Sequence, residues 1–207
     1  MELALLGLAL SGALTAGINL YATVLALGLL QRLEVVSLPG DLGVLADPWV
    51  LGAAGAMFLV EFVADKVPWV DSLWDAVHTF IRVPAGGAIA WGAGAGLEPG
   101  QQVALALVGG TLALAGHGTK MSVRAGANTS PEPFTNWALS LLEDLFVVAT
   151  TLVAATHPAV AIAVVVLFLV AAAAFFAVLW RALRRVFARA FAGRAAAAAS
   201  AGPGRLS

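Results

Sequence analysis

Apolar runs, interrupted at short intervals by proline, glycine and clustered polar residues, set the pattern of this chain. A helix needs roughly 20 mostly apolar residues, at about 1.5 Å of rise each, to cross the ~30 Å hydrocarbon core of a bilayer. Residues 3–31 exceed one such span, which predicts a tilted helix or one broken near Ser11-Gly12 or Ala16-Gly17. Residues 33–47 read as a loop. Pro48, suited to a first helical position, opens a second run to about Ala64, with Trp49 as an interfacial anchor. A third run follows Pro84 to about Gly96 and is rich in small residues that let helices approach closely. After a turn at Glu98-Pro-Gly-Gln-Gln, residues 103–116 form a short apolar segment, followed by a polar stretch from His117 to Pro133. Ser130-Pro-Glu-Pro has the form of a helix start: an N-cap serine, proline in the first turn and an acid at the positive dipole end. A fifth span runs from there to about Ala155, His157-Pro158 turns the chain, and residues 159–180 are an uninterrupted apolar sixth.

Between the second and third runs the period changes. Asp71, Ser72, Asp75, His78, Thr79 and Arg82 fall on one stripe at helical spacing, while Trp69, Val70, Leu73, Trp74, Val77, Phe80 and Ile81 make the opposite face. This predicts an amphipathic helix over 68–82 that lies in the membrane interface or lines a wet cavity.

Composition sharpens the class. Of 207 residues, 61% are hydrophobic and only 11% charged, whereas a soluble domain needs about a quarter charged. The pattern is that of an all-α, polytopic membrane protein with about six transmembrane segments. Residues 1–180 form one transmembrane domain, with halves at about 1–97 and 101–180. Six of the eleven basic residues lie in the last 27 positions, so 181–207 reads as a basic, Ala-rich cytoplasmic tail ending in a disordered Ala/Ser/Gly stretch. Six crossings then put both termini on the cytoplasmic side of the cell membrane. Lys66, Arg82, Lys120 and Arg124 fall on that side too, in agreement with the positive-inside rule. The first helix lacks a basic flank and reads as retained rather than as a signal peptide. The absence of cysteine excludes disulfides, thiolate metal sites and cysteine nucleophiles. There is no basic, aromatic-interleaved face for nucleic acid and no hydrolase or phosphate-loop motif, so neither an enzymatic activity nor a cofactor is expected.

The chain carries an internal similarity. Residues 16–26 and 115–125 align without gaps, and each copy is followed by a span that starts at a proline. Glu61 stands 13 residues past Pro48, and Asp144 stands 13 past Pro131. Three spans per half would invert the second copy in the membrane, as in many secondary transporters. Chance likeness of Ala/Gly-rich helices is the alternative.

Chemistry is concentrated in a few positions. Glu61, Glu143 and Asp144 lie roughly 20 Å into their helices, near mid-bilayer, where a charge costs about 2.5–3.5 kcal/mol and marks a pathway, a relay or a paired site. Asn136, Ser140 and Glu143 follow i, i+4, i+7, and Glu61 and Asp65 follow i, i+4 beside Lys66. These acids fit proton or cation binding, with structural ion pairs as the alternative; Asp144 points elsewhere on its helix and fits inter-helix glue better. His117, Lys120 and Arg124 make a basic stripe if helical, and Gly116 and Gly118 suggest a broken helix there; a cytoplasmic loop is the other reading. Asn19 and Tyr21 align with Gly118 and Lys120 and join the candidates for the same cavity. Asp71, Asp75 and His78 share spacing with divalent-cation ligands, although such a stripe is more often a solvated face.

Three strings, Gly17-Ile-Asn-Leu-Tyr-Ala-Thr, Val60-Glu-Phe-Val-Ala-Asp-Lys-Val-Pro-Trp-Val-Asp-Ser-Leu-Trp-Asp and Asn128-Thr-Ser-Pro-Glu-Pro-Phe-Thr-Asn, resemble the bacterial membrane family called domain of unknown function 4126. The resemblance covers roughly residues 10–180 and implies an integral membrane protein; it transfers no functional residues. The expected function is a small secondary transporter or channel for an ion or small solute, working in the lipid bilayer as a homodimer. The alternatives are a non-transporting scaffold or lipid-interacting protein and, last, a metal-dependent lipid enzyme.

Overall fold

A computed structural model describes residues 2–129 and 134–200, with side chains as far as Arg189. The described residues are all-α. Seven α-helices are present: α1 Leu3–Ile18, α2 Leu20–Arg32, α3 Pro48–Ala64, α4 Pro68–Ala93, α5 Pro99–Ala127, α6 Phe134–Thr156 and α7 Pro158–Ser200, with a 3-10 turn at Gly40–Ala46 before α3. The chain divides into two compact units, 1–167 and 168–207. The first holds every residue discussed below as a site.

Helix starts follow proline. Pro48, Pro68, Pro99 and Pro158 each open a helix, where the missing N–H costs nothing. At Pro48 the preceding Asp47 adds a cap, its carboxylate accepting from Trp49 N at 2.8 Å. The start at Ser130-Pro-Glu-Pro lies outside the described residues.

The first apolar run is broken, and the break falls at Asn19, beyond the Ala16-Gly17 position the sequence suggested. Asn19 adopts extended backbone (φ −142°, ψ 101°) and ends α1, its N–H bonding Thr15 O. Its side-chain oxygen then caps α2 by accepting from Ala22 N at 2.9 Å. Conversely, the break expected around His117 does not exist. α5 runs through Gly116, His117 and Gly118 for 29 residues. Gly116 is there for packing: a Cβ on it would lie 2.7 Å from Leu14 O on α1. The reverse contact also holds, since a Cβ on Gly17 would collide with the backbone of Ala113. α1 and α5 therefore cross antiparallel at a pair of glycines.

The same logic joins α4 to α5. Gly86 abuts Ala113, and Gly109 abuts Ala90, in the antiparallel register that continues to Thr79 and His117. Ala9, Ala13, Ala16, Ala90, Ala93 and Ala113 are buried between these helices. Small side chains bring backbones close enough for dispersion to hold them where no water drives association.

α4 corrects another expectation. It runs through Pro84 as one helix of 26 residues, and its polar stripe is turned inward, where Asp71, Ser72 and Asp75 line a cavity. Asp71, Asp75, His78 and Arg82 are buried, while Trp69, Leu73, Val77 and Phe80 face outward. This helix buries its charges and exposes its apolar face, the reverse of a helix in a soluble bundle.

By length and composition α6 and α7 can each cross a membrane, and the 3-10 turn with α3, bent by 69°, makes a third candidate span. α1 and α2 are apolar but shorter, at 16 and 13 residues. α7 stays helical through the Ala-rich stretch expected to be disordered, as far as Ser200; residues 201–207 lie outside the described residues.

Candidate functional site

Four helices deliver charge to one place. α3 contributes Glu61 near its end and Asp65 as its C-cap; α4 brings the Asp71, Asp75, Arg82 stripe; α5 brings His117, Lys120 and Arg124; α6 brings Asn136, Ser140 and Glu143. Because the α4 and α5 stripes share helical period and antiparallel register, they face each other along the whole hairpin.

The Lys120 ammonium is the centre. It lies 3.3 Å from Glu61 Oε1, 3.2 Å from Asp65 Oδ2, 3.5 Å from Glu143 Oε2 and 3.8 Å from Asp75 Oδ1. Arg82, fully buried, donates to Glu61 Oε1 at 2.6 Å and to Asp75 Oδ1 at 3.0 Å. Arg124 grips Glu143 through two bonds, Nε to Oε1 at 3.1 Å and Nη2 to Oε2 at 2.6 Å. It also donates to Asp65 Oδ2 at 2.9 Å and to Asp65 O at 2.8 Å, and lies 3.5 Å from Asp71 Oδ1. Asn128 extends the network, donating to Asp71 Oδ2 at 2.9 Å and accepting from Asn136 Nδ2 at 2.7 Å.

The charges do not balance. Five carboxylates (Glu61, Asp65, Asp71, Asp75 and Glu143) meet three cations (Arg82, Lys120 and Arg124), which leaves two negative charges uncompensated. Glu61 Oε2, Asp71 Oδ1 and Asp75 Oδ2 are buried without a hydrogen-bond donor. A carboxylate oxygen removed from water and left bare is costly unless a proton, water or cation reaches it. Beside two of these oxygens, a partly open cavity of about 130 Å³ lies between α4 and α5, lined by Asp71, Ser72, Asp75, Met121, Arg124 and Ala125. At ~30 Å³ per water it has room for about four.

His117 is fixed as a neutral tautomer by its partners. Arg82 can only donate, so His117 Nδ1 accepts from it at 3.0 Å, and Nε2–H points at Thr79 Oγ1, 2.8 Å away, and Asp75 O. His78 Nδ1 donates to Trp74 O at 2.8 Å, and its Nε2 lies 3.1 Å from the Tyr21 hydroxyl.

Of the residues singled out from sequence, Glu61, Asp65, His117, Lys120, Arg124, Asn136 and Glu143 meet in this network, and Asp71 and Asp75 join it from α4. Lys66 does not. Its ammonium sits 3.0 Å from the Phe62 ring centroid and donates to Phe62 O, and partial burial lowers its pKa from the ordinary lysine value. Asn19 stands apart and binds Asp144 Oδ1 at 2.8 Å. Asp71, Asp75 and His78, singled out for metal-like spacing, do not come together: among the described residues no three His, Asp or Glu side chains group as metal ligands. The reason is that the two aspartates already face Asn128, Arg82, Lys120 and Arg124, while His78 turns to Tyr21. Arg82, Lys120 and Arg124 are not loop charges either, so they lose their weight in the positive-inside count. Arg82 and Asn128 were missed as site residues, although Arg82 lies seven residues past Asp75 on the same stripe.

Residues 4–178 match the family described as Domain of unknown function (DUF4126). No curated protein and no solved structure matches the chain.

Proposed function

Since the chain belongs to that family, whose description assigns no activity, its function is to be read from the polar core, and we propose that it is a small membrane carrier for a proton or small cation. It works in the cytoplasmic membrane as a multi-pass protein with both termini inside, as a homodimer of inverted halves. The observation that carries this reading is the charge balance: five carboxylates, all but Glu143 fully buried, against three cations, with oxygens on Glu61, Asp71 and Asp75 that accept no hydrogen bond. Such a core takes up positive charge to reach neutrality, and the cavity beside Asp71 and Asp75 offers a way in. Intramembrane ionisable groups cluster on ion and proton pathways for this reason. The reciprocal contact of Gly17 with Ala113 and Gly116 with Leu14 supports inverted halves, because both pairs map onto each other under the repeat alignment. The broken helix in the first copy has no counterpart in the second, so the halves differ where the break occurs.

The test is uptake into proteoliposomes under an imposed pH or cation gradient, with Glu61→Gln and Glu143→Gln compared with wild type. A carrier loses most of its flux in Glu61→Gln while the variant still folds. Flux at wild-type levels in both variants sinks the proposal.

A second reading rests on the bidentate Arg124–Glu143 pair, whose geometry is that of a structural lock. The protein is then a scaffold, and the same variants unfold at lower temperature with no ligand response in the wild type.

A further inference from the structure

Asp144 is the one intramembrane acid that the network leaves out. It sits one position after Glu143 on α6, and among the described residues no cation lies within ion-pair distance of it. Its contact is the Asn19 amide, which donates to Oδ1 at 2.8 Å. Asn19 is also the residue at which α1 ends and α2 begins, and its Oδ1 caps α2 through Ala22 N. One side chain therefore joins a carboxylate to a helix break. Asp144 stands as far past Pro131 as Glu61 stands past Pro48, yet Glu61 is held by Arg82 and Lys120 whereas Asp144 meets a neutral amide.

We propose that Asp144 is a proton-binding site whose occupancy is read by the α1–α2 break through Asn19. A proton fits the place better than a metal ion, because a cation wants several oxygens around it, whereas Asn19 turns its NH2 toward the carboxylate. Discontinuous helices in membranes recur where ions and protons bind, since the break frees polar groups at the helix ends. The surrounding charges allow both states. Asp65 and Glu61 act on Asp144 with negative fields and Lys120 with a positive one, and Lys66 lies within range at the α3–α4 turn. Of the other helices packed on α6, α1 has no ionisable side chain, and α2 offers Tyr21, engaged by His78, and Arg32 in its last turn. The inference stands apart from the carrier reading, because a titrating Asp144 needs no flux to be seen.

The experiment is an infrared titration of the full chain in lipid nanodiscs, following the C=O stretch of protonated carboxyl groups with pH. The difference between the wild-type and Asp144→Asn spectra contains one titrating carboxyl band, over and above the bands of the other acids, and Glu61→Gln retains it. Asn19→Ala removes a donor that favours the ionised form, so the midpoint of the band moves upward by about one pH unit. An Asp144→Asn titration that superimposes on that of the wild type overturns the proposal. Should Asp144→Asn fail to fold, the Asn19→Ala midpoint decides: an unchanged midpoint also overturns it.

Discussion

Arg82 shows how much a single side chain carries in this interior. It holds Glu61 and Asp75 and fixes the tautomer of His117, all without access to solvent. Replacing it with Leu strands two carboxylates, and breaking a buried pair in this way costs about 3–5 kcal/mol. We expect Arg82→Leu to lower stability in detergent by that order. Arg82→Lys, which keeps the charge but loses the planar fork, falls between it and wild type in equilibrium unfolding. Equal stability of all three would mean that the pairs contribute little. Arg82 is also instructive about legibility. The stripe that contains it is plain in the sequence, but periodicity tells which residues share a face and not which way that face looks. In an apolar solvent the polar face turns inward, so a stripe read as interfacial or solvated becomes the site. Asn128 carried no period of its own, and its bonds to Asp71 and Asn136 come only from the way α5 ends beside α4 and α6.

The helices themselves were the most legible level. Pro48 marked a start because a residue without an N–H is tolerated there, and Pro99 and Pro158, read from sequence as turns, open helices for the same reason. The same rule misled at Pro84, which lies inside α4. Glycine misled as well. Gly116 and Gly118 suggested a broken helix, yet Gly116 is a contact surface and α5 is continuous, while the real break sits at an asparagine able to cap the helix it begins. Packing partners decide whether a glycine is a break or a groove, and sequence does not display them. The α1–α5 crossing gives a direct test. Gly17→Ala places a methyl on the Ala113 backbone, and Gly116→Ala places one 2.7 Å from Leu14 O. Each should cost about 1–3 kcal/mol, the range for overpacking a close contact. Together they should cost less than their sum, because either methyl alone already forces the two helices apart. Gly52→Ala, with nothing within 4 Å of its new methyl, should be neutral or stabilise α3 by up to ~1 kcal/mol. Thermal unfolding in one detergent compares all four.

At the scale of the whole molecule, the distribution of polarity decides the solvent. Trp49, Trp69 and Trp180 are 87%, 72% and 64% exposed, in company with outward-facing Leu, Val and Phe, while the charged stripes of α4 and α5 are buried. An apolar groove of about 450 Å³ runs along α3 and α4, lined by Leu59, Val60, Val63, Ala64, Val70 and Trp74. Single-tryptophan variants in bilayers of brominated lipid should therefore show strong quenching at Trp49, Trp69 and Trp180, and weaker quenching at the half-buried Trp74. Uniformly weak quenching would show that something other than lipid covers the outer face. The length of α7 has a consequence of its own. Its 43 residues span about 65 Å at 1.5 Å each, roughly twice the ~30 Å hydrocarbon core. The apolar part ends at Trp180, with Arg181, Arg184, Arg185 and Arg189 following at once. That abrupt boundary makes α7 a gauge of bilayer thickness. About 33 Å of greasy helix, from 159 to 180, fits a core of that depth; thinner membranes must tilt it and thicker ones must dimple around it, at fractions of a kcal/mol per Å. Hydrophobic mismatch, rather than any address written in the tail, would then favour membranes of matching thickness.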